Sequence, residues 1–190
     1  MLPFILALDD LQCQDVALVG VKAAQLATLR QAGLPVPAGF VVPTHVCRIA
    51  PHGEITPDVE AAIAVAYGRL GEAVAVAVRV STTLEQQSAD VFDSFGGIVG
   101  VGKIVRQIEK CWQSATGERA RAFYKRSGTD AAAVEMAVLV QTLVATDESQ
   151  SAPNADQQAA RDILSRQIAE IVGTGTQPQT VWDGVQWWII

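Results

Sequence analysis

Apolar positions recur along this chain at two spacings, near 3.6 and near 2, and their alternation predicts a mixed fold of helices and strands. The opening MLPFILAL reads as a strand, because Asp9 and Asp10 follow at once and no basic segment precedes it as a signal peptide would require. From Lys22 to Gln31 a short helix turns Leu26 and Leu29 inward and is capped by Gly33. Pro35 and Pro37 then hold the chain extended into a strand at Phe40, Val41 and Val42. Thr56-Pro57-Asp58 starts a helix whose inner face is Val59, Ile63, Ala66, Tyr67 and Leu70, and Gly71 ends it.

Val74 to Val80 is nearly all apolar and suits a strand covered on both faces. Residues 81–102 are polar and then glycine-rich, which predicts a loop able to approach something closely. Helices are expected over Lys103–Ser114, burying Val105, Ile108 and Trp112, and over Glu118–Arg126; a strand follows over Glu135–Ala145. A polar linker over 147–156 separates this lobe, residues 1–146, from a C-terminal helix and hairpin, residues 157–190. The helix carries Ile163, Leu164, Ile168, Ile171 and Val172 inward, and Asp183-Gly184 is a two-residue turn between the last strands. The apolar residues Trp187 to Ile190 form an edge that wants covering, by a partner or downstream segment or by being tucked into the core.

At 190 residues the chain is one ordinary domain or two small ones, and 49% hydrophobic against 18% charged residues is a globular balance. A net charge of -6 argues against nucleic acid or an anionic membrane surface as partner, and no run approaches the length of a membrane helix. Cys13, Cys47 and Cys111 are odd in number and widely spaced, so neither a disulfide framework nor a zinc site is indicated and a reducing, cytoplasmic setting suits them. His45 and His52 have no metal or triad spacing and read as surface residues.

Two cations carry the candidate chemistry. Lys22 follows Gly20 at a helix start, where backbone N–H groups and the helix dipole favour an anion; an ordinary solvent-facing lysine is the plainer alternative. Arg79, the one charged residue of its strand, must be paired or must face a ligand, and Glu85 or a phosphate would serve. Gly97 to Lys103 fits the G-x-x-x-x-G-K phosphate loop, but Ile104 stands where that loop needs Ser or Thr for magnesium, so the match reads as chance.

The segments DVALVGVKAAQLATLRQAGLPVPAGFVVPT, VAVRVSTTLE, SFGG, IEKCWQSATGERARAFYKRSG and MAVLVQTLV, in this order, resemble the N-terminal nucleotide-binding domain of the phosphoenolpyruvate synthase and pyruvate phosphate dikinase family. The likeness runs from about Phe4 to Val144 and resumes weakly from Ile163 to Ile190. It implies a shortened ATP-grasp-like domain that binds ATP and Mg2+ between two lobes. In the full enzymes ATP phosphorylates a histidine on a swinging domain, which passes the phosphoryl group to pyruvate in a third. Carried onto this sequence, Lys22 and Arg79 match phosphate ligands, Ser81, Thr83 and Glu85 match the polar positions that follow, and Ser94, Phe95, Gly96 and Gly97 match a flap over the nucleotide.

The departures define an alternative. Val21 replaces a glycine, Val80 a serine and Val181 a glutamate that serves magnesium and nucleotide, and a polar linker stands where the family completes its second lobe. The chain also lacks phosphohistidine and pyruvate-binding domains, which would be separately encoded partners. The two expectations are therefore an ATP-binding phosphotransferase domain and a noncatalytic, reduced relative or fragment serving as a binding or interaction module.

Overall fold

In the computed structural model, residues 2–50, 53–84, 91–144, 155–173, 178–182 and 187–190 are described. A five-stranded sheet of order β1-β2-β5-β3-β4 forms the centre, built from β1 (Leu6–Ala7), β2 (Gly39–Val42), β5 (Met136–Thr142), β3 (Val76–Thr82) and β4 (Ser94–Ile98). Every neighbouring pair is antiparallel, so the mixed fold is of the α+β kind. Helices α1 (Val16–Gln31), α2 (Thr44–Ile49), α3 (Pro57–Leu70), α4 (Val101–Ser114), α5 (Glu118–Ser127) and α6 (Ala155–Val172) pack around it, with a second, two-stranded sheet of β6 (Thr180–Trp182) and β7 (Trp187–Ile189).

The sheet separates two apolar clusters. On one side Val76, Val78 and Val80 of β3 meet Ile63 and Tyr67 of α3 and Ile104, Ile108 and Trp112 of α4. On the other, α1 lays Ala23, Leu26 and Leu29 against Leu139 of β5 and Val41 of β2, and Leu164, Ile168 and Ile189 close the layer. Successive residues of a strand face opposite sides, so a strand covered on both must be apolar at nearly every position. That is why Val74 to Val80 reads as it does. Arg79 is the half-buried exception within β3.

Local signals account for many boundaries. The Asp15 carboxylate accepts the Ala17 N–H at 2.9 Å, which starts α1 six residues before the helix expected at Lys22. At its other end the N–H groups of Gly33 and Leu34 donate to the carbonyls of Arg30 and Leu29, the paired bonds of a Schellman cap. α3, α5 and β5 lie where the periodicity puts them, and Trp112 is core.

Four expectations need correction. Residues 94–98 are not loop but the edge strand β4, paired to β3 through a bulge: Val76 faces Ile98 while Val78 faces Phe95. α2 has no counterpart in the periodic pattern; the Thr44 hydroxyl donates to the Ala17 carbonyl at 2.8 Å and Arg48 pairs with Glu135 at 2.7 Å, so tertiary contacts hold this six-residue helix. Ile163 and Ile171 are 54% and 38% exposed rather than inward, because α6 docks through Leu164 and Ile168. His45 is 8% exposed and is therefore no surface residue. Burial lowers its pKa, since a desolvated imidazolium is disfavoured.

His52, Glu85, the Asp183-Gly184 turn and most of the linker lie outside the described residues. The terminal apolar strand is anchored in the core, with Ile189 fully buried and its N–H donating to the Pro35 carbonyl at 2.9 Å. Among the described residues no helix is long and apolar enough to cross a membrane.

α1 is broken at Gly20, whose φ of 75° and ψ of 167° lie outside the helix. A Cβ there would sit 2.4 Å from the Ser81 carbonyl oxygen and 2.6 Å from its hydroxyl. Substitution is therefore excluded by both torsion and contact. Gly20→Ala is expected to destabilise the protein by roughly 3 kcal/mol or more. Gly33→Ala, at a φ of 82° but with nothing within 4 Å, should cost about 1 kcal/mol. Urea unfolding followed by circular dichroism separates the two; equal losses would show that contact with Ser81 is unimportant.

Candidate functional site

The close approach of Gly20 to β3 fixes the site. Ser81 is fully buried and its hydroxyl oxygen accepts the Ala23 N–H at 3.0 Å, bridging 58 residues of sequence. It thereby caps the helix that restarts after the kink, as an N-cap residue would from within the same segment. Lys22 lies in that first turn, at the positive end of the restarted helix dipole.

Arg79 is two residues before Ser81 on β3, so both face α1. Lys22 and Arg79 are thus brought to the same side of the sheet, near enough for their charges to act on each other. Burial, and secondarily the Arg79 guanidinium, lowers the Lys22 pKa to about 8. Burial also lowers that of Arg79. Among the described residues neither cation is paired with a carboxylate: the ion pairs join Arg30 to Asp9, Arg48 to Glu135 and Arg119 to Asp93.

Two half-buried cations of like sign with no counter-charge are unfavourable by themselves and suit a polyanion. Ser94 pairs directly with Arg79 across the β3–β4 ladder, so its exposed side chain stands on the same face. Gly96 and Gly97 follow in the bulge, both exposed, with Gly97 at a φ of 69°. This edge leaves backbone groups accessible beside the cations.

Thr83 sits beyond the end of β3; its N–H donates to the Glu135 carbonyl at 3.1 Å and its hydroxyl oxygen accepts the Glu135 N–H at 3.2 Å. The hydroxyls of Ser81 and Thr83 are thus engaged by backbone, whereas the Ser94 side chain is exposed. Neither bond was legible as such, although a serine two residues after a buried arginine marks a polar position on the same strand face.

The Gly97–Lys103 stretch has a different job from a phosphate loop. The Gly100 N–H donates to the Tyr67 hydroxyl at 3.2 Å, and that hydroxyl donates to the Val74 carbonyl at 2.7 Å, so the turn into α4 is tied to the core. Among the described residues no three of His, Cys, Asp and Glu gather where they could hold a metal ion. Lys22 and Arg79, being cations, are not metal ligands themselves.

Comparison with known proteins gives this cleft its context. The family described as pyruvate phosphate dikinase, AMP/ATP-binding domain, matches residues 48–162, more than half of the chain, and the chain belongs to that family. Arg79 and Ser94 lie within the matched stretch and Lys22 before it. Among curated relatives, a rifampicin phosphotransferase of Streptomyces sviceus is 32% identical over 74% of this chain and 21% of its own length. A probable phosphoenolpyruvate synthase of Methanocaldococcus jannaschii is 29% identical over 77% of this chain and 16% of its own. The chain thus spans about a fifth of the length of the relatives it matches.

The unpaired lysine makes a testable claim about stability. With a pKa near 8 in the folded chain and the ordinary 10.5 in the unfolded one, Lys22 leaves the unfolded state holding more protons between these values, so stability rises with pH across that window. Lys22→Met should lack this rise and, at neutral pH without ligand, should be about 1 kcal/mol more stable than the parent. Thermal unfolding of both chains from pH 7 to 10.5 measures the difference; a less stable variant with an unchanged pH profile would mean that Lys22 is already compensated.

Proposed function

We propose that this chain binds ATP by its phosphates at the Lys22–Arg79 cleft and presents the terminal phosphoryl group to an acceptor carried by other domains. The observation behind this reading is the pair of half-buried cations with no carboxylate partner among the described residues, within an AMP/ATP-binding family. An ammonium and a guanidinium neutralise phosphate oxygens through charge-assisted hydrogen bonds, which are among the strong ones. Their partial burial strengthens those bonds by keeping water away. Lys22 also brings the positive end of a helix dipole to the same point.

The remaining residues take graded roles. Ser94 and the backbone of Gly96 and Gly97 lie at the rim and form the cover over the phosphates. Ser81 and Thr83 position the cations by fixing α1 and the end of β3, and Glu85 belongs to the same polar segment. Mg2+ enters with the nucleotide as its counter-ion. The two-lobed arrangement is the ATP-grasp-like one in shortened form, with residues 1–146 as the principal lobe and 157–190 as the remainder. Separately encoded phosphohistidine and pyruvate-binding domains would complete a phosphoenolpyruvate synthase-type transfer in the cytoplasm.

Val181, standing where the family resemblance places a glutamate for magnesium and nucleotide, favours a second reading: a noncatalytic relative that keeps the cleft as a binding module. The two differ in chemistry and not in affinity. Calorimetry with ATP and magnesium is expected to detect binding to the intact chain, and Lys22→Ala and Arg79→Ala each to weaken it by about tenfold or more, the effect of one charged hydrogen bond. No binding to the intact chain would overturn the ATP reading. Transfer of label from γ-phosphate ATP to a histidine-bearing partner domain would decide against the noncatalytic one.

A further inference from the structure

A lysine that gives up its proton is an amine nucleophile, and the phosphate cleft holds one beside a fixed cation. The chain has four lysines. Lys103 and Lys110 of α4 and Lys125 of α5 are exposed. Lys22 alone is half-buried, in the first turn of the restarted helix and within electrostatic reach of Arg79. Among the described residues no carboxylate pairs with either cation. A carboxylate there would hold the ammonium protonated and would repel an incoming anion.

The two cations differ in what they can become. A guanidinium stays protonated at any physiological pH, so Arg79 remains an anchor for phosphate. Burial, and secondarily that guanidinium, brings the Lys22 pKa down to about 8, so about a quarter of chains carry the free amine at pH 7.5. An amine at the ordinary 10.5 is free in only about one molecule in a thousand at that pH.

We propose that Lys22 is a site of acylation by small acyl phosphates, whose phosphate docks on Arg79 and whose acyl carbon is delivered to the Lys22 amine. The Nζ lone pair attacks the carbonyl carbon, the bond from that carbon to the bridging phosphate oxygen breaks, and inorganic phosphate leaves with the electron pair. The amine gives one proton to water, and the product is a neutral amide. No further reactant is needed, because the donor is a mixed anhydride. The carbonyl carbon lies one bond beyond the bridging oxygen, so a phosphate held between the two cations keeps it beside the amine. Arg79 then also stabilises the charge that grows on the leaving phosphate. The exposed lysines stand in water, where a neighbouring guanidinium holds an anion only weakly. Acylation removes the ammonium and closes the cleft to nucleotide. The inference rests on the cleft being a phosphate site, the premise that it shares with the ATP reading.

Acetyl phosphate is the probe, with acetylation of each lysine in the intact chain followed at pH 7.5 by peptide mass spectrometry. Lys22 should react about tenfold or more faster than Lys103, Lys110 and Lys125. Phenyl acetate, an acyl donor without phosphate, makes no use of Arg79. In Arg79→Gln the ratio of the acetyl phosphate rate to the phenyl acetate rate at Lys22 should therefore fall about tenfold, the effect of one charged hydrogen bond. Excess inorganic phosphate should slow labelling of Lys22 in the unaltered chain and leave the exposed lysines unchanged, a test that holds even if the variant does not fold. Equal rates at all four lysines, an unchanged ratio in Arg79→Gln or no protection by phosphate overturns the inference. Selective labelling that phosphate blocks and ATP with magnesium does not would support acylation and overturn the ATP reading. Calorimetric binding of ATP together with unselective labelling would overturn acylation alone.

Discussion

The contact of Gly20 with Ser81 is the constraint on which the cleft depends. A helix can approach a strand this closely only where it carries no Cβ, and the φ of 75° that breaks α1 at the same residue is one that other side chains rarely adopt. The break leaves an unfinished helix start against the sheet. Ser81 Oγ accepts one of its N–H groups at 3.0 Å, so the kink is held from the strand and not from the helix. Because Arg79 shares the face of Ser81 and Lys22 precedes Ala23, this one hydrogen bond sets the separation of the two cations. The site is therefore made by docking of elements far apart in sequence, and its precision is that of the α1–β3 interface.

The same contact explains how the strand tolerates a charge. β3 lies between two helical layers with its alternate residues facing opposite sides, and only one of those faces contributes to an apolar cluster. Val76, Val78 and Val80 fill one layer without exception, while Arg79 occupies a position of the other layer at the side of the sheet next to the edge strand β4. An edge location allows the guanidinium partial hydration, which lessens the desolvation of its charge. Lys22 meets it from the helix under the same compromise, and its pKa near 8 records the cost. Stability sacrificed in this way is characteristic of sites arranged for a ligand, although ion-pair networks also shift pKa values. Here the described residues supply no such network to the pair.

Sequence made the elements with strong local signals legible. Val59, Ile63 and Tyr67 announced α3, Gly33 announced the end of α1, and the apolar run before Arg79 announced a doubly covered strand. It failed where non-local contacts decide. Ser94-Phe95-Gly96-Gly97-Ile98 has glycines that disfavour a strand, yet β3 offers a free edge and the bulge absorbs the extra residue. α2 is too short to form unaided and exists through Thr44 and Arg48 reaching other elements. The helical period of α6 admitted more than one inward face, and packing chose Leu164 and Ile168 over Ile163 and Ile171. For the cleft, the residue types at Lys22 and Arg79 were visible as anion ligands and the family resemblance implied that they face one cleft; the contact that brings them together was not legible, because it runs through a serine hydroxyl 58 residues from the amide it caps.

The two sides of the sheet consequently differ in what they leave unsatisfied. Among the described residues, the α1 side carries two cations without a carboxylate partner, while α4 carries a buried Trp112 indole N–H and a buried Gln107 side-chain oxygen that make no hydrogen bond. Charge acts over several ångströms and is met by any polyanion that fits, so the first deficit selects a chemical class broadly. β3 faces both sides, with Arg79 toward one layer and Val78 and Val80 packed in the other. Val78 and its ladder partner Val140 are fully buried, so at this point of the sheet apolar side chains insulate the cations on one side from the α3–α4 layer on the other.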